Sequence, residues 1–95
     1  MNESDIVKAI MKYLRTMPGC FCWKEHGGMY GTAGIPDIIA CINGRFFGFE
    51  VKTAVSKPTK LQEATIRKIL ASGGTAVVVR SVDEVKAVVN GINAH

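Results

Sequence analysis

The spacing of hydrophobic and polar positions changes several times along the chain, and each change predicts a new element. Apolar residues recur at helical spacing near both ends, whereas β-branched and alternating runs occupy the middle. The predicted elements are a helix over 3–17, strands over 20–24, 35–42 and 45–52, a helix over 59–72, a strand over 75–80 and a helix opened by Ser81. Pro18-Gly19 and Gly73-Gly74 end the first two helices.

The Asn43-Gly44 dipeptide between two apolar runs predicts a tight hairpin with a type I′ turn. Counting outwards from that turn places Asp37 directly opposite Glu50, with their Cβ atoms about 5 Å apart. Lys52 lies two residues beyond Glu50 and therefore points to the same face. A longer turn would shift the partner of Glu50.

These three side chains suggest metal chemistry. Two opposed carboxylates repel each other, and a divalent cation such as Mg²⁺ would reverse the sign of that interaction. A nearby ammonium can orient a water or neutralise charge on a phosphate. The alternative is a solvated carboxylate pair with a lysine on an exposed sheet face.

The same residues resemble a known pattern. Pro36-Asp37 followed by Glu50-Val51-Lys52 resembles the PD-(D/E)xK nuclease signature. The longer strings 34–40 and 49–53 are similar to the virus-type replication-repair nuclease (VRR-NUC) family, and the resemblance extends over residues 3–89. It implies an α/β fold with a restriction-endonuclease-like αβββαβα core, in which helices flank a small mixed sheet.

The resemblance also implies further site residues and a Mg²⁺ or Mn²⁺ cofactor. It assigns Glu3 as a third carboxylate on the metal, the Val51 carbonyl as another ligand, and Gln62 as a residue that reaches the site. Each helical residue has a simpler alternative. Glu3 suits the positive end of a helix dipole, and Gln62 suits a capping box with Thr59, where the family usually has serine.

Composition predicts one domain over 1–95, with a net charge of +4 and a pI near 9.2 that suit a polyanionic partner. Candidate DNA contacts are Lys8, Lys12, Lys24, Lys57 and Lys60. For the helical lysines the alternative is a solvated face. A glycine-rich loop over 27–34 leads into the first carboxylate strand.

The cysteines and the termini exclude several classes of protein. Three cysteines without a secretion signal argue against a disulfide framework, and Cys20, Cys22 and His26 lack a fourth zinc ligand. We therefore expect the cysteines to be buried strand thiols. No apolar stretch approaches the roughly 20 residues of a membrane span, and the polar N-terminus is unlike a signal peptide. These features predict a cytoplasmic protein.

The predicted function is a metal-dependent, structure-selective DNA endonuclease. Compact stand-alone members of the resembling family are similar to homodimeric Holliday-junction resolvases, which implies a branched or four-way DNA substrate. Met29, Tyr30, Phe46 and Phe47 are candidates for the dimer interface. The alternatives are a nicking or flap nuclease without junction preference, and a non-catalytic DNA-binding module on the same scaffold.

Overall fold

The computed structural model describes residues 1–26 and 33–93, except for the side chains of 92 and 93. Within these ranges the elements are α1 (Glu3–Arg15), β1 (Cys20–Lys24), β2 (Ile38–Ile42), β3 (Arg45–Val51), α2 (Lys60–Ala71), β4 (Thr75–Val79) and α3 (Val82–Asn93). Most of the predicted glycine-rich loop, including Met29 and Tyr30, lies outside the described residues.

The strands form one mixed sheet in the order β1-β2-β3-β4. β1, β2 and β3 pair antiparallel, and β4 pairs parallel to β3 after the crossover through α2. Helices lie against both faces. The predicted αβββαβα order and the mixed sheet are therefore confirmed.

The hairpin between β2 and β3 has the predicted turn. Asn43 and Gly44 have φ values of 50° and 81°, the left-handed conformation that a type I′ turn requires at both central residues. Ile42 pairs with Arg45 and Ile38 with Phe49. This register fixes which residues of the two strands share a face.

The first helix begins where predicted and ends two residues early. The Asn2 side chain accepts a hydrogen bond from the Asp5 amide at 2.8 Å, which caps the helix start. The helix ends at Arg15 because the Thr16 amide turns back to the Tyr13 carbonyl and the chain then enters the Pro18-Gly19 turn.

One face of the sheet forms the hydrophobic core with α1 and α3. Alternate residues of β2 and β3 point toward these helices and are almost fully buried. The core comprises Ile6, Val7, Ile10, Met11, Leu14, Ile38, Ala40, Ile42, Phe47, Phe49, Val51, Val79, Val85 and Val89. Glu50 lies between two of these residues, so its side chain belongs to the opposite face.

That opposite face is covered only in part, by α2. None of the α2 residues is buried. Gly48 lets Pro36 pack directly on the strand, because a Cβ there would lie 2.8 Å from the Pro36 ring. β4 was predicted to be covered on both faces, and helices α2 and α3 do pack on it from opposite sides. Ala76 and Val79 are buried, whereas Val77 and Val78, one on each face, are half-buried.

In the part of the chain that the structure describes, no helix has both the length and the apolar character needed to cross a membrane.

Candidate active site

The hairpin brings Asp37 and Glu50 together at the end of the sheet. The Glu25 amide donates to the Asp37 carbonyl at 2.8 Å, so strand pairing on the β1 side continues one residue past Ile38. On the β3 side, Asp37 Oδ2 accepts a hydrogen bond from the Val51 amide at 2.8 Å. This bond holds the Asp37 carboxylate against the strand that carries Glu50.

Among the described residues, Glu50 is the one charged residue that is buried, with 1% of its surface exposed. Its Oε1 has no hydrogen-bond partner among the described residues. Burial, reinforced by the neighbouring Asp37 carboxylate, raises the pKa of Glu50 to about 8, whereas Lys52 acts in the opposite direction. An unpartnered buried carboxyl is costly to a fold, so its position calls for a compensating group.

Lys52 approaches this carboxyl from the same strand. Its Nζ lies 4.0 Å from Glu50 Oε2, and its side chain is 12% exposed. The Lys52 amide donates to the Val79 carbonyl at 3.0 Å, which extends the pairing of β3 with β4 to this residue. The predicted grouping of Asp37, Glu50 and Lys52 on one face is therefore what the hairpin produces.

Glu3 lies in the first turn of α1 and is half-buried. Its charge is the smallest of the influences on the pKa of Glu50, after burial, Asp37 and Lys52. Among residues 1–26 and 33–93, no three His, Cys, Asp or Glu side chains lie close enough together to form a metal-binding group. The two carboxylates of the hairpin thus form a pair, and Glu3 lies farther away.

Gln62 forms the predicted capping box at the start of α2. The Thr59 amide donates to Gln62 Oε1 at 2.9 Å, and the Gln62 amide donates to Thr59 Oγ1 at 3.1 Å. The box uses the carbonyl oxygen of the Gln62 side chain and leaves its Nε2 group as a possible donor to another partner.

Two solved structures are similar to this chain over most of its length. One, a VRR_NUC domain protein, has a TM-score of 0.77 and 21% sequence identity, and covers 95% of this chain and 86% of its own. The other, a VRR_NUC domain, has a TM-score of 0.77 and 22% identity, and covers 93% of this chain and 94% of its own. The chain has the VRR_NUC fold. No family model and no curated protein matches the sequence.

On the VRR_NUC fold, the candidate DNA-binding lysines fall into separate groups. Lys60 opens α2, on the Glu50 side of the sheet, and the exposed Lys57 precedes it by three residues. Lys8 and Lys12 are exposed on α1, which covers the opposite face. Lys24 is exposed at the end of β1. The fold thus distributes the predicted set over both faces of the sheet and the end of β1.

Among residues 1–26 and 33–93, the cysteines belong to no group of three His, Cys, Asp or Glu side chains that could hold a metal. Cys20 and Cys22 pack partly buried against the core, as predicted, whereas Cys41 is exposed. The expectation of a buried thiol was wrong at Cys41 because it points to the face that α2 leaves bare. Burial, reinforced by the neighbouring Cys22, raises the pKa of the Cys20 thiol to about 11.

The same bare face carries three exposed aromatic rings, of which Phe46 was predicted as an interface candidate and Phe21 and Trp23 were not. Phe21 pairs with Cys41, which pairs in turn with Phe46, so these three side chains form a row across the sheet. Trp23 lies beside that row, and its indole N–H donates to Glu25 at 2.7 Å. Phe47 was predicted as an interface candidate, but it is 1% exposed because it points into the core.

Proposed function

We propose that this protein is a Mg²⁺- or Mn²⁺-dependent DNA endonuclease that hydrolyses phosphodiester bonds. The observation that carries the proposal is the buried Glu50 carboxyl, whose Oε1 is unpartnered and which lies beside Asp37. A cation bound at this pair would supply the missing interaction and turn a repulsive contact into an attractive one. The VRR_NUC fold of the chain supports the same reading.

The donor set suits a hard divalent cation. Asp37 and Glu50 would hold it through carboxylate oxygens, with the Val51 carbonyl as a further ligand. Glu3, which lies farther from the pair, would join them only after a movement of the start of α1. Oxygen donors of this kind favour Mg²⁺ or Mn²⁺ over softer metals. Once bound, the cation would polarise the attacking water and offset the charge on the leaving oxygen.

The remaining groups of the site have roles that follow from their positions. The Val51 amide fixes the Asp37 carboxylate through its 2.8 Å hydrogen bond to Oδ2, so Oδ1 would be the oxygen that binds the cation. The Lys52 ammonium, at the edge of the buried pair, would orient the water or stabilise charge on the phosphate. Lys57 and Lys60 would hold the DNA backbone near the start of α2.

Cleavage of a synthetic four-way junction tests this proposal. We expect the wild type to cut the junction in Mg²⁺ or Mn²⁺ and not in EDTA. Glu50→Gln keeps the shape of the side chain but removes its charge, and we expect it to lower the rate by on the order of 10³-fold. Glu84→Gln makes the same change at an exposed position of α3 and is the matched control.

The substrate set separates the alternatives. Paired, symmetric nicks on the junction, with linear duplex intact, would support a junction resolvase. Cutting of flaps or of every duplex would support a nuclease without junction preference. Junction binding in Ca²⁺ without cutting in Mg²⁺ or Mn²⁺ would contradict the enzyme and leave a DNA-binding module.

We also propose that the enzyme is a homodimer that associates through its bare sheet face. Phe21, Trp23 and Phe46 are 71%, 41% and 43% exposed, and an apolar cavity of about 480 Å³ opens between Phe46 and Leu61 of α2. A symmetric interface needs a projecting group and a recess on one surface. Together the three rings expose roughly 300 Å², which is much of the apolar area that one partner brings to a standard interface.

Two leucines of α2 provide a matched test of this interface. Leu61 and Leu70 are each 51% exposed, but they lie about 180° apart around the helix, and only Leu61 lines the cavity. Sedimentation should show that Leu61→Ser raises the dimer dissociation constant by at least about tenfold and that Leu70→Ser does not. A monomeric wild type would end the dimer proposal and leave the nuclease untouched.

A further inference from the structure

The segment between Lys52 and the Thr59 cap of α2 has neither helix nor strand over residues 52–59. Its middle offers little apolar anchorage, since Ala54 is exposed and the Val55 side chain is 90% exposed. Within this segment, residues 53–56 form a short loop. The hydroxyls of its first and last residues hydrogen-bond to each other, with Thr53 Oγ1 and Ser56 Oγ 2.7 Å apart. This local bond closes the loop on itself without attaching it to the sheet.

Arg80 makes that attachment. Its Nη1 donates to the Thr53 carbonyl and to the Ser56 carbonyl, the latter at 2.7 Å. One guanidinium nitrogen therefore holds both ends of the loop, across 24 residues or more of sequence. No carboxylate among the described residues forms an ion pair with Arg80, so these carbonyls are the partners of its charge.

The backbone around Arg80 is itself rigid. Val79 ends β4 and accepts the hydrogen bond from the Lys52 amide, and Ser81 caps α3 through its bond from the Glu84 amide at 3.2 Å. Arg80 is thus fixed between a strand and a helix start. It reaches from this fixed point to the loop that begins one residue after Lys52.

We propose that Arg80 is a positioning residue for the nuclease site, which holds Lys52 beside Glu50 by pinning the loop over residues 53–56. The inference rests on the proposed nuclease function. The Lys52 side chain has four rotatable bonds, so the location of its ammonium depends on a fixed backbone on both sides. The β4 pairing fixes the N-terminal side, and the Arg80 bonds fix the C-terminal side.

Single-turnover cleavage and DNA binding, measured separately, test the proposal. We expect Arg80→Ala to lower the cleavage rate by about tenfold or more at saturating DNA and to leave the dissociation constant for DNA in Ca²⁺ within about twofold. Arg80→Lys should recover part of the rate, because an ammonium can still donate to carbonyls. Arg45→Ala removes an exposed arginine at the far end of β3 and should cut like the wild type.

Chemical rescue distinguishes positioning from a general loss of folding. Millimolar guanidinium ion should restore part of the Arg80→Ala rate, whereas the same concentration of sodium ion should not. A wild-type rate in folded Arg80→Ala would overturn the proposal. So would a loss of DNA affinity equal to the loss of rate, which would make Arg80 a phosphate contact.

Amide hydrogen exchange in the DNA-free protein separates failure of this inference from failure of the nuclease function. We expect Arg80→Ala to speed exchange at residues 52–56 by about tenfold and to leave α3 amides such as Val85 and Val89 unchanged. If the wild type cuts no substrate, the proposed nuclease function fails. The exchange experiment would still show whether the Arg80 hydrogen bonds hold the loop over residues 53–56. Unchanged exchange at residues 52–56 would overturn the inference whether or not the protein is a nuclease.

Discussion

The two faces of the sheet differ in how completely the helices on them are buried. The face under α1 and α3 contains the hydrophobic core, in which Ile10, Leu14 and Phe49 are 0% exposed, with partly buried apolar residues only around it. On the other face, no residue of α2 is buried. That face nevertheless contains the buried carboxyl of Glu50. The molecule therefore concentrates its stability on one face and its candidate chemistry on the other.

This division has a physical reason. A close-packed face tolerates neither an unpaired charge nor an open groove, because both cost free energy there. The α2 face has an open cavity and an exposed aromatic row, so the proposed dimer surface lies where incomplete packing costs least. The Glu50 carboxyl on the same face is nevertheless buried, and its desolvation is a cost that the proposed cation would offset.

A matched pair of leucine truncations should give the largest difference in stability between the two faces. Leu14 on α1 is fully buried, whereas Leu61 on α2 is half-exposed. We expect Leu14→Ala to lower the free energy of unfolding by about 2–5 kcal/mol, because it opens a cavity in the core. Leu61→Ala should cost less than about 1 kcal/mol. Urea unfolding measures both.

Both variants should be unfolded at a protein concentration where the chain is monomeric. The proposed interface then does not contribute to the loss of unfolding free energy measured for Leu61→Ala. Equal losses for the two variants would contradict the division of the sheet into a stabilising face and a functional face. A Leu14→Ala loss near zero would contradict the assignment of the core.

The pH dependence of stability should expose the buried carboxyl on the α2 face. The pKa of Glu50 is raised from an ordinary 4.5 to about 8 in the folded protein. Between these values the folded state holds a proton that the unfolded state has released. The free energy of unfolding should therefore fall as pH rises through this window, by up to about 1.4 kcal/mol per unit.

Unfolding in EDTA at several pH values measures this slope. Glu50→Gln should remove its contribution, whereas Glu84→Gln should keep it, and the difference between the two isolates Glu50 from every other titrating group. Mg²⁺ or Mn²⁺ should stabilise the wild type more at pH 8 than at pH 6, because the cation competes with the proton for the carboxyl. Identical slopes in all three proteins would contradict the assignment.

The helices, the strands and the hairpin register could be predicted from the sequence because short-range interactions determine them. Asn43-Gly44 selects one turn, and that turn alone places Asp37 opposite Glu50. Alternation likewise separates Phe46 from Phe47, so naming both as surface residues conflicted with the period of a strand.

The remaining features depend on three-dimensional packing that a sequence does not display. Alternation divides the residues of β1 and β2 into two sets but does not say which set a helix covers, so the exposure of Phe21, Trp23 and Cys41 was missed. Arg80 was missed for a different reason. Its partners are backbone carbonyls 24 and 27 residues away, and carbonyls carry no side-chain signature in a sequence.

The smallest expected effect concerns Gln62, where capping and a role in the site compete for one side chain on the α2 face. Gln62→Glu keeps an oxygen to accept the bond from the Thr59 amide but removes the Nε2 donor. We expect its free energy of unfolding to stay within a few tenths of a kcal/mol of the wild type, while its cleavage rate falls by about tenfold for one lost hydrogen bond to a charged group. Thr59→Ala removes the hydroxyl that caps the helix but keeps the Gln62 side chain. It should lower the free energy of unfolding by about 1 kcal/mol and leave the cleavage rate unchanged. Wild-type cleavage by Gln62→Glu would reduce Gln62 to a helix cap and would leave Lys60 as the residue of α2 proposed to contact the substrate.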